Sequence, residues 1–302
     1  GAPAVHRLAV GTAFQTGEDA PCQGRILLFE LTQAADPDDK DAQAEEEGAP
    51  RRWRLKLVFE AEERGPVLTV SLLGGYLLTG VGNKLVISTY KDGALSPIGF
   101  QHVGFMVSSV SVMKNVIMVA DLHKGVEFLQ WRHAGGTFHL LSQHTGARAA
   151  SACEFMVSEG AVQLVLAEEA GRLRVFTYNK QSTECRGGKL LLPQASFDVG
   201  DHVCHLQRLQ LRGGHVLLYA TLDGAIGFLM PLSEVEHRRL AFLSNKLLHA
   251  VPHCAGLNPR AFRAGASRTA GARELRFLVR EELLHRAKLP AGCLLKMCTA
   301  DA

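Results

Sequence analysis

Tyr76-Leu77-Leu78-Thr79-Gly80, then Val81-Gly82-Asn83, then Lys84-Leu85-Val86-Ile87-Ser88-Thr89-Tyr90 is the stretch that decides the fold. It reads as a short apolar run, a tight turn and a second run rich in β-branched residues that ends on an aromatic. Period-2 alternation and β-branched content favour strands over a helix. The same unit recurs as Val116–Ala120 with Gly125–Trp131, Gln163–Ala167 with Arg172–Tyr178, and Val216–Ala220 with Ala225–Leu229. A further copy opens the chain, Leu8-Ala9-Val10-Gly11 with Gly24–Glu30.

Aligned at Gly80, Ala120, Ala167 and Ala220, the copies are spaced by 40, 47 and 53 residues. Each holds an earlier apolar run (Val67–Leu73, Met106–Met113, Cys153–Val157, Val203–Leu209), and a later run closes some, as at Ala94–Phe100 and Phe138–Ser142. Four short strands in a repeat of this length is the arithmetic of a β-propeller blade. The W-D and G-H marks of common propeller repeats are absent, so the type is divergent.

From Pro231 the pattern changes. Ser233 and Glu236 form a capping-box pair, and Leu240, Leu243, Leu247 and Val251 follow at helical spacing up to Pro252. Arg273 to Lys288 predicts a second helix, stopped by Pro290 and Gly292. The expectation is a mainly β chain: a partial seven-bladed-type propeller of about five blades over 1–231, then a small α-helical C-terminal domain over 232–302.

Composition agrees with a globular chain. Of 302 residues, 47% are hydrophobic and 21% charged, enough to bury a large core without a metal or disulfide. A net charge of +3 implies no general affinity for nucleic acid or membrane. Seven cysteines without a C-x-x-C pair fit a reducing compartment. The uncharged stretch from Gly65 to Asn83 is long enough to span a bilayer, but its five glycines and Pro66 predict strand, turn, strand instead.

Two segments are strongly charged. Gln33 to Pro50 holds seven acids against Lys40, which predicts a solvated, disordered loop between strands, or a docking site for a basic partner. Arg238 to Lys288 holds eleven Lys or Arg against three acids. Its arginines Arg238, Arg239, Arg260, Arg263, Arg273, Arg276 and Arg280 are the candidate contacts to RNA phosphate or an acidic partner. A solvated basic face is the plainer alternative.

Catalytic signatures are missing. There is no H-E-x-x-H, G-x-S-x-G or G-x-x-x-x-G-K-[ST]. Gly187-Gly188-Lys189 lacks the upstream glycine of a phosphate loop, and Gly80-Val81-Gly82 lacks the third glycine of a dinucleotide loop. Asp198, Asp201, His202 and His205 could pair as acid and base, but Phe197–Val203 reads better as a turn between blades. His249, His253 and Cys254 lack a fourth zinc ligand at the usual spacing.

Several stretches carry a resemblance: Gly24–Glu30, Arg64-Gly65-Pro66-Val67, Ala120-Asp121-Leu122 with Gly125-Val126, and Asp223–Gly227 with Arg238-Arg239-Leu240 and Asn245. In this order they resemble the triple-propeller scaffold family. Its members include the large subunits of the cleavage and polyadenylation specificity factor and of the damaged-DNA-binding complex, and the propeller subunit of splicing factor 3b. Gly256–Arg263 and Phe197–Val203 are more similar to the polyadenylation version. The resemblance implies a non-enzymatic nuclear scaffold with no cofactor or metal. Its implied partners are the other subunits of the polyadenylation specificity factor, and pre-mRNA, touched directly or reached through them. No membrane role is implied. DNA-damage recognition with a cullin ligase, or the splicing complex, is the alternative within the family. Pro290 to Ala302 departs from the family's pattern, which suggests a truncated or divergent end. The resemblance also implies a seven-bladed ring, here open or closed by segments outside this chain.

Overall fold

The computed structural model describes residues 6–15, 22–33, 53–146, 149–158, 161–211 and 214–250. These residues are mainly β and form five antiparallel sheets and one α-helix.

The first sheet pairs β1 (Arg7–Phe14), β2 (Gln23–Gln33) and β3 (Trp53–Glu63) in that order. The second is a meander of β4 (Val67–Leu73), β5 (Tyr76–Val81), β6 (Lys84–Lys91) and β7 (Ala94–His102). The third repeats it with β8 (Val107–Met113), β9 (Val116–Asp121), β10 (Gly125–Arg132) and β11 (Thr137–His144). The fourth does so with β12 (Ala150–Ser158), β13 (Ala161–Glu168), β14 (Arg172–Thr177) and β15 (Leu192–Asp198). The fifth holds β16 (Val203–Leu211), β17 (Gly214–Thr221) and β18 (Ile226–Leu229). After it comes α1 (Glu234–Ala250).

The register bears out the repeat. Gly80 pairs with Leu85, Ala120 with Val126, Ala167 with Leu173 and Ala220 with Ile226, the same place in four sheets. Tight turns set that register. Gly74 and Gly75 join β4 to β5 with φ of 55° and 89°, the left-handed pair that a two-residue hairpin needs. The stretch weighed as a membrane span is therefore β4, a turn and β5. Among the described residues no helix is long and apolar enough to cross a membrane.

The chain divides into two compact units, Gly1–Leu141 and Ser142–Ala302. In the first unit, sheets pack face to face in sequence order. Ile26, Leu28, Val67, Leu77 and Val81 form one core cluster. Leu78, Leu85, Ile87, Val107, Ile117, Val119, Leu129 and Trp131 form another. A small residue on one sheet receives a valine from the next. A Cβ on Gly80 would lie 2.8 Å from Val107 Cγ1, and one on Gly11 would lie 2.6 Å from Val67 Cγ1. The second unit uses the same device, with Ala167 and Val203 in one cluster with Val165, Leu173, Leu206 and Leu217. Each such buried aliphatic side chain contributes about 1.5–3 kcal/mol.

Two features differ from a plain repeat. Residues 178–191, between β14 and β15, carry a 3-10 turn at Thr183–Cys185, and Leu190 bridges Gln143. And β3 pairs with β2 across residues 34–52, so the acidic segment joins two paired strands. Residues 34–52, including nearly all of that segment, lie outside the described residues. The second predicted helix and the tail after Ala250 do as well. The four described cysteines, Cys22, Cys153, Cys185 and Cys204, are not joined in disulfides.

Candidate interaction surfaces

The start of α1 is built as the capping box predicts. The Ser233 N–H and hydroxyl both donate to Glu236 Oε2, at 2.9 and 2.8 Å. The Glu236 N–H donates back to Ser233 Oγ at 3.3 Å. These bonds, the backbone one first, hold the Glu236 carboxyl below its ordinary range. Arg238 and Arg239 follow, both exposed. At 100° per residue, Val235, Arg239, Phe242 and Lys246 fall on one stripe. Phe242 is 59% exposed, and Lys246 Nζ lies 5.3 Å from its ring centroid. Leu240 and Leu243 are half-buried. Of the seven candidate arginines the structure places these two; Arg260, Arg263, Arg273, Arg276 and Arg280 lie outside the described residues. His253 and Cys254 lie outside as well, and no metal-binding group of three is found among the described residues.

The second unit contains an apolar groove of about 360 Å³, lined by Met156, Leu173, Val175, Phe197, Tyr219 and Leu229 among others. Its polar lining includes Gln163, whose amide donates to Gln194 Oε1 at 2.9 Å, and Ser196. The groove can take an apolar side chain.

The turn predicted at Phe197–Val203 lies between β15 and β16 but is shorter, since Phe197 and Asp198 end β15 and Val203 opens β16. Asp198 Oδ1 accepts from the Gly200 N–H at 3.0 Å, and Asp201 accepts from the N–H groups of His202 and Asp223 at 2.6 and 3.3 Å. The Thr221 hydroxyl, and then those N–H groups, hold Asp201 below its ordinary range. His202 Nδ1 lies 3.1 Å from the Glu169 carbonyl oxygen. These groups tie turns together.

The first unit makes the same kind of tie with a different residue. Asp121, at the end of β9, is fully buried. Its carboxylate accepts from the N–H groups of Phe105, His123 and Lys124 at 2.6, 2.9 and 2.8 Å. All three donors carry exposed side chains. Sequence reasoning singled out Asp121 only as part of a hairpin resemblance, and missed Phe105 and His123.

Other perturbed groups are scattered. Burial, and then the Asp121 charge, pushes the Glu127 carboxyl up. Burial, and then Arg174, pushes His144 down. Glu168 is buried and paired with Arg174 at 2.9 Å. None of these lines the groove. Gly187-Gly188-Lys189 sits in the link after the 3-10 turn, and Gly80-Val81-Gly82 ends β5 rather than opening a helix.

The family model described as the CPSF A subunit region matches residues 3–286. The chain is 34% identical over 276 residues to cleavage and polyadenylation specificity factor subunit 1 of Arabidopsis thaliana, covering 87% of this chain and 18% of that protein. It is 32% identical over 276 residues to the probable subunit 1 of Oryza sativa subsp. japonica, covering 88% of this chain and 18% of that protein. The subunit 1 of Drosophila melanogaster is 29% identical over 300 residues, 94% of this chain and 20% of that protein. The chain thus spans about a fifth of the length of these relatives.

Proposed function

The chain belongs to the family of the CPSF A subunit region, and from that membership we propose that it is part of a non-enzymatic scaffold subunit of the nuclear machinery that cleaves and polyadenylates pre-mRNA. The observation that carries the proposal is the alignment of 87–94% of the chain with plant and fly proteins named as subunit 1 of that specificity factor. Serial sheets with tight turns suit a scaffold, because rigid blades present many loops that can vary without disturbing the core. On this reading the described sheets serve as about five blades of a partial, seven-bladed-type propeller over 1–231, followed by a helical C-terminal domain over 232–302. Partner subunits of the specificity factor dock on this framework. Arg238, Arg239, Arg260, Arg263, Arg273, Arg276 and Arg280 supply weak, salt-sensitive contact to pre-mRNA phosphates.

The test is affinity purification of the full-length parent protein from nuclear extract, read by mass spectrometry. Recovery of the polyadenylation endonuclease and the poly(A)-signal-binding subunits is expected. Recovery of a cullin or of branch-site splicing subunits instead would move the function to a sister complex. For the RNA contact, reversing the charge of the seven arginines should weaken RNA binding and flatten its salt dependence; unchanged affinity would remove RNA from their role.

A further inference from the structure

We propose that the loop end shared by the second and third sheets is a docking site for an acidic polypeptide segment that carries an apolar side chain. This goes beyond the scaffold reading and does not depend on which assembly the parent protein joins.

The site is centred on Phe105, which leaves 53% of its surface in water. Aromatic residues are enriched at the centres of protein interfaces. Its backbone is fixed by Asp121, through the same carboxylate that holds His123 and Lys124. The Phe105 and His123 rings are in contact, with centroids 4.5 Å apart. The Lys124 side chain packs across Gly104, where an added Cβ would come 2.9 Å from Cε. Lys84 and His102 sit opposite each other at the same end of the second sheet. Two backbone bonds of 2.9 Å, Val103 N–H to Asn83 O and Val107 N–H to Gly82 O, join that end to the Phe105 loop. The backbone that carries these side chains is therefore fixed before any partner arrives, which lowers the entropy cost of binding.

The charge shown to a partner is positive. It comes from the exposed Lys84 and Lys124, beside the exposed rings of His102 and His123. Of the nearby acids, Asp121 is fully buried and its oxygens are occupied by the three N–H groups, and Glu127 is half-buried beside Lys124. The fold does not demand this. The matching turns of the second unit carry exposed Glu169 and Asp223, with Asp201 taken up as the tie and His202 beside it. The same backbone tie thus supports opposite charge, which marks the basic character of the first unit's end as specific to it. The Phe105 and His123 rings are tilted by 52°. The tilted pair beside two lysines is not the flat platform on which nucleobases stack. An apolar side chain packs on the exposed Phe105 ring, and flanking carboxylates meet the lysines.

The test uses the full chain with synthetic nonapeptides of glutamates around one central phenylalanine, the same peptide with serine at the centre, and an oligouridylate. Binding is read by fluorescence anisotropy at low and high salt. The Glu–Phe peptide should bind best and lose affinity with salt. Phe105→Ala and Lys124→Glu should each weaken it about tenfold, as for a central aromatic anchor or a rim charge reversal. Should Phe105→Ala fail to fold, His123→Ala and Lys124→Glu carry the test, since both side chains are exposed. No binding at millimolar peptide, or binding indifferent to all three substitutions, would overturn the proposal. Tighter binding of the oligouridylate, lost in the same variants, would overturn it in favour of a nucleic-acid site.

Discussion

Replacing Asp121 by alanine removes one carboxylate and strands three donors. The bonds measure 2.6, 2.9 and 2.8 Å, and the acceptor is 0% exposed. A hydrogen bond to an ionised group contributes about 1.5–3 kcal/mol net. The three do not add, because they share one acceptor and their donors lie at a loop surface where water can replace part of the loss. The expected cost of Asp121→Ala is therefore about 3 kcal/mol. For a unit of this size that corresponds to a fall in Tm of roughly 10 °C. Asp121→Asn keeps one acceptor oxygen but turns an NH2 toward a donor, so it should fall between. Both tryptophans, Trp53 and Trp131, lie in the first unit, and Trp131 is 2% exposed in its core. Urea unfolding followed by tryptophan fluorescence, in a Trp53→Phe background, isolates Trp131 and so reports that unit. A loss below about 1 kcal/mol would refute the reasoning, because it would mean that water satisfies the three N–H groups as well as the carboxylate does.

A Cβ on Gly24 would meet the carbonyl oxygen of Gly65, that of Thr12 at 2.7 Å and the Val67 nitrogen at 2.9 Å, all backbone. Gly24→Ala should thus cost about 3 kcal/mol in the same urea assay. Glu127 has a folded pKa raised above its ordinary 4.5, chiefly by burial. The native state then holds the proton longer than the unfolded chain, so this group lowers stability as pH rises through that window. Glu127→Gln should stabilise at pH 7 and make no difference below pH 4.5, checked by Tm against pH. Ser233→Ala should cost α1 about 1 kcal/mol, read by circular dichroism at 222 nm. The depressed Glu236 carboxyl implies that its share of the cap is present above its ordinary 4.5 and is lost as pH falls through its lower folded value.

The hairpins were legible because their information is local. Gly74-Gly75 specifies a turn within two residues, and alternation on either side specifies strands. The cap at Ser233 was legible for the same reason. By contrast, β3 was missed, because a long acidic segment separates it from its partner β2 and nothing local joins them. The link at 178–191 hid β15, whose Pro193 also weakens a strand pattern. Five candidate arginines fall outside the described residues.

By itself, the sequence determined the strand repeat, the tight turns, the helix start and the family, since each depends on residue order over short spans. The interaction site was decided by tertiary structure alone. Phe105 reads in sequence as one more apolar residue, and Asp121 as one more turn acid. Only packing between sheets leaves the first in water and takes the second out of it. Burial is a property of neighbours brought together by the fold, here across 16 residues between Phe105 and Asp121, and no local pattern records it.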